Sequence, residues 1–254
     1  MRFDRLLTSG RTVPGLFGCE DESGRNVGEY VVKLSGCMET GTTGLMLELI
    51  GSKLASHFGV LTPEPAIIEV SKSLVTAISR TNPQLAPHIS KGEGLNFGTK
   101  HLTNVSTWPV GQPIPKAMLQ GAARIFAFDA LIDNQDRRYA NPNLLARGDD
   151  IFVFDHEDAF RFLRLTGSRD KPWDLNKRRA LDDHVFYLPL KRREIDLTDF
   201  SLALVGLSET VFGEVASTIP PQWSNDNLSR ISAHLQAMRD HAGEFAEQVR
   251  RRLA

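Results

Sequence analysis

Short apolar runs separated by polar, glycine-containing turns fill the first third of the chain, a pattern typical of antiparallel strands. Strands are predicted at residues 11–18, 29–34, 66–70 and 73–78. Between the second and third of these, residues 45–58 carry apolar side chains at helical spacing, which predicts one helix that stops at Gly59. The pattern therefore predicts a small antiparallel lobe that carries a single helix.

The pattern changes after this lobe. Residues 84–115 are rich in proline, glycine, asparagine, histidine and lysine without a sustained period, which predicts an irregular connection. Residues 118–132 are apolar around most of a helical circumference and predict a buried helix, and residues 202–219 predict more helical structure. We expect an α+β fold with a β-rich lobe at residues 1–85, a hinge at 86–115 and a helical lobe at 116–254.

An apolar stripe runs along the last part of the chain after a polar start at residues 224–226. Its positions advance in steps of four and three, with Ile231, Leu235, Met238, Ala242, Phe245, Val249 and Leu253 as its members. Such a stripe is typical of core packing in a helical lobe. A partner-binding helix is the alternative.

Three side chains with oxygen ligands follow the buried helix. The apolar runs on either side of Gly148 predict an antiparallel hairpin, in which Asn141 faces Asp155 at about 5 Å. Mg²⁺ accepts an amide oxygen and a carboxylate when water and phosphate complete its shell. Asp136 is left to face an incoming hydroxyl, so the segment predicts a site of phosphate transfer. Helix capping or Asx turns are the alternative for each residue taken singly.

Lys33 ends a Tyr-Val-Val-Lys run that is like the Val-Ala-Ile-Lys strand of protein kinases. Taken alone, a strand lysine is typical of a surface position from which the ammonium reaches solvent. Glu48 lies on the predicted helix, where an ion pair with Lys33 would hold the ammonium against nucleotide phosphates. A solvated carboxylate is the alternative for Glu48. The order of strands, helix and further strands is that of a kinase small lobe.

Composition and charge narrow the classes of function. The chain has 254 residues, of which 41% are hydrophobic and 24% charged, enough for a sizeable core. The net charge of −1 gives no global field for nucleic acid or an anionic membrane, and the basic runs 177–179 and 191–193 are interpreted as solvated surface. No apolar run has the length of a bilayer span. Cys19 and Cys37 lack metal-site spacing, so a reducing, cytoplasmic location is expected.

The segment from Phe128 to Leu145, followed by Val153 to Glu157, resembles the HipA-like kinases and, more distantly, the phosphatidylinositol-kinase branch of the kinase fold. Both families carry Asp-(x)₄-Asn and a later metal-binding Asp. The similarity also includes the family's first strands and its glutamate-bearing helix, at residues 10–14, 30–33, 48–55 and 59–63. It extends over roughly residues 8–250.

The resemblance implies a two-lobed protein-kinase-like fold with ATP and Mg²⁺ as cofactors. Five residues receive roles from it: Asp136 as the catalytic residue, Asn141 and Asp155 as magnesium ligands, Lys33 as the phosphate lysine and Glu48 as its partner. Many relatives carry histidine two residues after the catalytic aspartate, where this chain has Arg138. This departure leaves the three oxygen ligands intact.

The activity implied is transfer of the γ-phosphoryl group of ATP to a hydroxyl, with Ser or Thr of a protein as the expected acceptor. A lipid or small-molecule kinase is the alternative within the enzyme class. A non-catalytic pseudokinase that binds nucleotide and holds an antitoxin-like or other regulatory protein is the alternative outside it. The presence of Lys33, Asp136, Asn141 and Asp155 argues against a pseudokinase, which commonly lacks at least one of these groups.

Overall fold

The computed structural model describes residues 1–7, 12–109, 111, 113–165, 171–176 and 178–254. Its strands are β1 (Arg2–Leu6), β2 (Gly15–Glu20), β3 (Asn26–Lys33), β4 (Pro65–Val70), β5 (Gly94–Lys100), β6 (Ser106–Thr107), β7 (Leu144–Arg147) and β8 (Asp150–Val153). Its helices are α1 (Thr42–His57), α2 (Lys72–Thr81), α3 (Ala86–Ile89), α4 (Leu119–Leu131), α5 (Tyr187–Leu190), α6 (Thr198–Val205), α7 (Glu209–Ser217), α8 (Asn227–Asp240) and α9 (Ala242–Leu253). Residues 10, 11 and 177, which enter the sequence predictions, lie outside the described ranges.

The first lobe is built on a five-stranded antiparallel sheet in the order β1-β2-β3-β5-β4. Strand β5 lies between β3 and β4 and comes from the segment predicted to be irregular, so that prediction is wrong for residues 94–100. Its composition explains the error, because glycine and asparagine are poor strand formers. Here they are required: a Cβ on Gly98 would lie 2.7 Å from Ile68, and the buried Asn96 amide donates to the carbonyls of Gly92 and Gly94. The lobe boundaries themselves remain a prediction.

Residues 73–78, predicted as a strand, belong to helix α2 instead. Ser71 begins this helix by accepting a hydrogen bond from the backbone N–H of Leu74 at 3.3 Å, which satisfies one of its free donors. Val75 and Ile78 then share one buried helical face. The β-branched residues suggested a strand, but the serine cap and the spacing of the buried residues favour the helix.

The sheet has one face toward its own core and one toward the second lobe. Alternate residues along the strands pack with α2 and α3 in the first core, which includes Phe17, Tyr30, Val32, Ile68, Val75, Ile78 and Ile89. Phe97 points to the other face and belongs to a larger core that contains α1 and α4. The predicted helix at 45–58 is confirmed as α1, and it is buried along most of its length because both lobes pack around it.

A second sheet has three strands in the order β6-β7-β8. The predicted hairpin is present, but its register is shifted by one residue: Ala146 pairs with Ile151 and Arg147 with Asp150. The turn therefore consists of two residues, in which Gly148 adopts φ 58°, and is not centred on that glycine. The expected cross-strand pairing of Asn141 with Asp155 is consequently wrong.

The rest of the second lobe is helical, as predicted. Helix α4 confirms the buried helix at 118–132, and residues 202–219 form parts of two helices, because Ser208 caps α7 by accepting from the N–H of Val211 at 3.2 Å. The final stripe is divided between α8 and α9, and each of its members is buried. Core packing is thus confirmed over a partner-binding helix. Within the described ranges, no single helix has the length and apolar composition to cross a membrane, and α6 with α7 meets that test only as a pair bent by 80°.

Candidate active site

The ammonium group of Lys33, at the end of β3, binds carboxylates from two distant parts of the chain. Its Nζ donates one hydrogen bond to Oδ1 of Asp155 at 2.8 Å and another to Oε1 of Glu48. Glu48 lies on α1 and is 1% exposed, and its other oxygen accepts from the backbone N–H of His156 at 2.9 Å. The predicted ion pair between Lys33 and Glu48 is therefore present. The contact with Asp155 joins the first lobe to the segment that follows β8.

Burial and mutual charge shift the pKa values in this cluster. Burial alone would lower the pKa of Lys33, but the two carboxylates outweigh it and the pKa is raised. Burial raises the pKa of Glu48 and the charge of Asp155 adds to the effect, although Lys33 acts in the opposite direction. Burial would also raise the pKa of Asp155, but the charge and hydrogen bond of Lys33 prevail and lower it. Lys33 and Asp155 therefore both stay charged at neutral pH.

Asp136 lies in the loop after α4, and its two carboxylate oxygens have different partners. Oδ2 accepts from Nδ2 of Asn141 at 2.8 Å and from Nδ2 of Asn143 at 3.4 Å. Oδ1 accepts from Nη2 of Arg138 at 2.8 Å. The structure therefore brings Asp136 and Asn141 together. One oxygen of the Asp136 carboxylate faces the two asparagines, and the other faces Arg138. Asn143 received no role from the sequence. The available signal was a second asparagine two residues after Asn141.

Arg137 supports this loop from inside the protein, with 1% of its surface exposed. Its Nε donates to Oδ2 of Asp129 at 2.6 Å, and its Nη1 donates to the backbone carbonyls of Asn143 at 2.8 Å and Phe154 at 3.1 Å. Nε2 of His184 donates to the same carboxylate at 3.0 Å, because the other ring nitrogen accepts a backbone hydrogen bond. One guanidinium thus ties the Asp136 loop to the segment that leads into Asp155.

Asp129 is fully buried at the centre of this network. Burial would raise its pKa, but Arg137 and His184 outweigh burial and lower the pKa to about 2. Sequence reasoning placed Asp129 on the buried helix without assigning it a partner. A charge in an otherwise apolar helix was the available signal, because a buried carboxylate needs a counter-ion.

Asn141 and Asp155 lie outside the strands, and the described residues show no hydrogen bond between them. Their two segments are hydrogen-bonded nearby: the backbone N–H of Phe154, just before Asp155, donates to the carbonyl of Asn143 at 3.2 Å. Asp155 adopts φ 64°, a left-handed conformation that aspartate tolerates better than most side chains. This turn in the backbone directs Asp155 toward Lys33 and away from the ladder of β8.

The donor atoms at this position fit Mg²⁺. Nδ2 of Asn141 is engaged by Asp136, which leaves the amide oxygen as its free ligand atom, and Asp155 is an ionised carboxylate that is 33% exposed. Both are hard oxygen ligands. No group of three or more His, Cys, Asp or Glu side chains able to hold a metal occurs in the described part of the chain. Phosphate and water would therefore have to complete the coordination of an ion held here.

An apolar surface lies beside Lys33 on the same face of the sheet. Residues two apart on a strand share a face, so Val31 accompanies Lys33, and Thr99 lies directly across from Val31 on β5. Ile67 follows in the row of Lys33 and is 40% exposed. Leu61, 42% exposed, pairs with β8 of the second lobe. The sequence does not reveal this surface, because β5 lacks the residue pattern of a strand.

Comparison with known proteins assigns the family. The family model of the HipA-like kinases matches residues 3–249 of the chain. The chain belongs to the HipA-like kinase family. This confirms the resemblance noted in the sequence, and the two-lobed kinase-like fold is confirmed with it. No curated protein matches the chain.

One solved structure supports the fold. The Helicobacter pylori proinflammatory kinase CtkA aligns over 99% of this chain and 95% of its own, with a TM-score of 0.52 and 12% sequence identity. A Neurospora crassa complex of PAN2 with the PAN3 pseudokinase also matches, at 13% identity and a TM-score of 0.34, over 99% of this chain and 64% of that one. Identity this low shows a shared fold for CtkA, and the second likeness carries no further argument.

Proposed function

We propose that this HipA-like kinase transfers the γ-phosphoryl group of Mg·ATP to a serine or threonine hydroxyl of a protein. The observation that supports the proposal best is the ammonium of Lys33, held by Glu48 from one side and by Asp155 from the other. A half-buried lysine with two carboxylates keeps a fixed cation beside the metal-ligand candidate, as phosphoryl transfer requires. A lysine that only reached solvent from a strand would have no such partners.

Each group has a distinct task in this proposal. Lys33 binds the α- and β-phosphates, and Glu48 fixes the direction of its ammonium. Asn141 and Asp155 would hold Mg²⁺, which supplies positive charge against the phosphate oxygens when bound. Asp136 receives and orients the acceptor hydroxyl at Oδ1, where its partner is the exposed Arg138, because Oδ2 is already bound by two asparagine amides.

The apolar surface beside Lys33 supports nucleotide binding. Val31 and Ile67, on the sheet face that carries Lys33, offer apolar contact of the kind that a purine base needs. The base would then lie on the same sheet face as the lysine that binds its phosphates. The free thiols of Cys19 and Cys37 support the further proposal of a cytoplasmic location.

Transfer of radiolabel from γ-labelled ATP tests the proposal, with Mg²⁺ and with the protein alone, with lysate proteins or with lipid vesicles. Lys33→Ala should abolish transfer, whereas Lys72→Ala, which changes an exposed lysine at the start of α2, should leave it unchanged. Label on protein serine or threonine supports the proposal, and label only on lipid supports a lipid kinase. Binding of Mg·ATP without transfer to any acceptor would indicate a pseudokinase, and no nucleotide binding would overturn both.

A further inference from the structure

A cavity of about 800 Å³ lies beside the Asp136 loop. Arg138 and Tyr139 of that loop line it, together with Trp108, Ile114 and Leu188. Tyr139 is 57% exposed and Leu188 is 71% exposed, so large apolar side chains face the solvent at this cavity. Its volume lies in the range of ligand sites, about 300–1,000 Å³. The fold gains nothing from large apolar side chains that face solvent. Their exposure around a cavity therefore indicates an interaction site.

Arg138 connects the cavity to the reacting side of Asp136. Arg138 lines the cavity, and its guanidinium donates to Oδ1 of Asp136 at 2.8 Å. The other oxygen of Asp136 faces Asn141 and Asn143. An acceptor hydroxyl therefore reaches the carboxylate from the side of Arg138, which is the side of the cavity.

The charges along the cavity are unequally paired. Lys191 and Arg193 line it, and neither has a carboxylate partner among the described residues. Of the two acidic residues of the lining, Asp182 is neutralised by Arg252 at 2.8 Å, which leaves Asp183. Positive charge is thus in excess at this part of the cavity. The run at 191–193, interpreted from the sequence as solvated surface, contributes two of its three residues to the lining.

We propose that this cavity binds the protein substrate as an extended segment, with an apolar residue next to the acceptor serine or threonine and an acidic residue beyond it. The apolar residue packs against Tyr139, Leu188 and Trp108, since aromatic and apolar pockets supply most of the energy at such contacts. The acidic residue pairs with Lys191 and Arg193, which sets specificity by charge complementarity. The inference rests on the proposed kinase activity and names the acceptor class of the same site.

Binding of fluorescein-labelled peptides tests the docking step without catalysis. The probes carry a central serine flanked by leucine and phenylalanine, with two glutamates on either the N-terminal or the C-terminal side. Matched peptides replace the glutamates by lysines, or the apolar residues by serines. We expect the acidic apolar peptide, in one of its two orientations, to bind the full chain about tenfold more tightly than its lysine or its serine replacement. Equal binding of the acidic peptide and its two replacements in both orientations would overturn the proposal.

Two pairs of variants locate the site. Arg193→Glu should weaken binding of the acidic peptide about tenfold and favour the lysine peptide, whereas Arg192→Glu, in the same run but outside the lining, should change neither. Leu188→Ser should weaken both apolar peptides. Leu202→Ser, which changes a leucine that is 66% exposed on α6, should not. Equal effects within either pair would refute the assignment.

Radiolabel transfer to the same peptides separates this inference from the proposed function. Peptide binding with the expected pattern but no transfer would support the docking site and refute the kinase proposal for these acceptors. Transfer that ignores the charge and apolar residues of the peptide would support the kinase and refute the docking site. Transfer to phosphatidylinositol vesicles in preference to every peptide would refute the peptide class. In the supporting case, Arg193→Glu raises KM for the acidic peptide and leaves kcat nearly unchanged.

Discussion

Replacement of Arg137 by methionine should destabilise the protein by about 3–5 kcal/mol, because it leaves the Asp129 carboxylate buried without its guanidinium. The side chain also satisfies the carbonyls of Asn143 and Phe154, which would lose their donor. For a chain of this size, a loss of this magnitude lowers Tm by about 10 °C. Urea denaturation and calorimetry at pH 7 measure both quantities.

The pH dependence shows whether the unpaired charge is the cause. In the wild type the pKa of Asp129 is about 2, below its unfolded value, so its ionisation stabilises the fold above about pH 4 and this contribution is lost as pH falls. In Arg137→Met, burial without the cation raises the pKa of Asp129, so protonation relieves the penalty as the solution is acidified. The stability difference between variant and wild type should therefore shrink from pH 7 to about pH 4.

Arg252→Met is the matched control. Arg252 also donates to two backbone carbonyls, those of Leu175 at 3.1 Å and Arg178 at 2.9 Å, but its carboxylate partner Asp182 is 46% exposed. This variant should also lose stability, with a deficit that changes less with pH. A deficit in Arg137→Met that stays constant between pH 7 and about pH 4 would refute the reasoning from a buried unpaired carboxylate.

Three further changes have definite expected outcomes. Asp136→Ala should keep calorimetric binding of a non-hydrolysable Mg·ATP analogue but lose phosphoryl transfer by about 10²-fold or more, whereas Asp149→Ala in the exposed hairpin turn should keep both. Loss of nucleotide binding in Asp136→Ala would contradict the acceptor-side placement. Gly51→Ala should destabilise the protein by about 1–3 kcal/mol, because the new Cβ would lie 2.5 Å from His156. Gly121→Ala, with open space around it on α4, should stabilise the protein by about 0.5–1 kcal/mol. A change in the free energy of unfolding of the same sign for both variants, measured by urea denaturation, would contradict the packing argument. Ser71→Ala should cost about 1 kcal/mol through the lost cap of α2, and an unchanged Tm would show that the cap is dispensable.

The sequence predicts best where a side chain's role is local. Lys33 follows a clear strand and Glu48 lies on a regular helix, so their approach follows from the order of the elements, and the ion pair is present. Helix α4 is likewise evident from its apolar circumference. Lys33, Glu48, Asp136, Asn141 and Asp155 as a catalytic set remain predictions, which the experiments above test.

The errors have a common cause in tertiary context. The hairpin register depends on whether the turn takes two or three residues, and a single glycine does not decide this. Strand β5 cannot be predicted from its own residues. Its glycine leaves room for Ile68 of the neighbouring strand, and its asparagine donates to a buried carbonyl, and both needs exist only in the folded protein. The Arg137 network was missed because Asp129 and His184 are brought together only by folding.

The position of β5 between β3 and β4 sets the order in which the first lobe can be completed during synthesis. Both neighbours precede β5 in the chain, so a nascent chain that ends before residue 94 exposes two unpaired strand edges, one of them on the strand that carries Lys33. Unpaired edges invite pairing with other chains. A fragment that ends at residue 85 should therefore aggregate, and a fragment that extends to Lys100 is the shortest in which all five strands are paired.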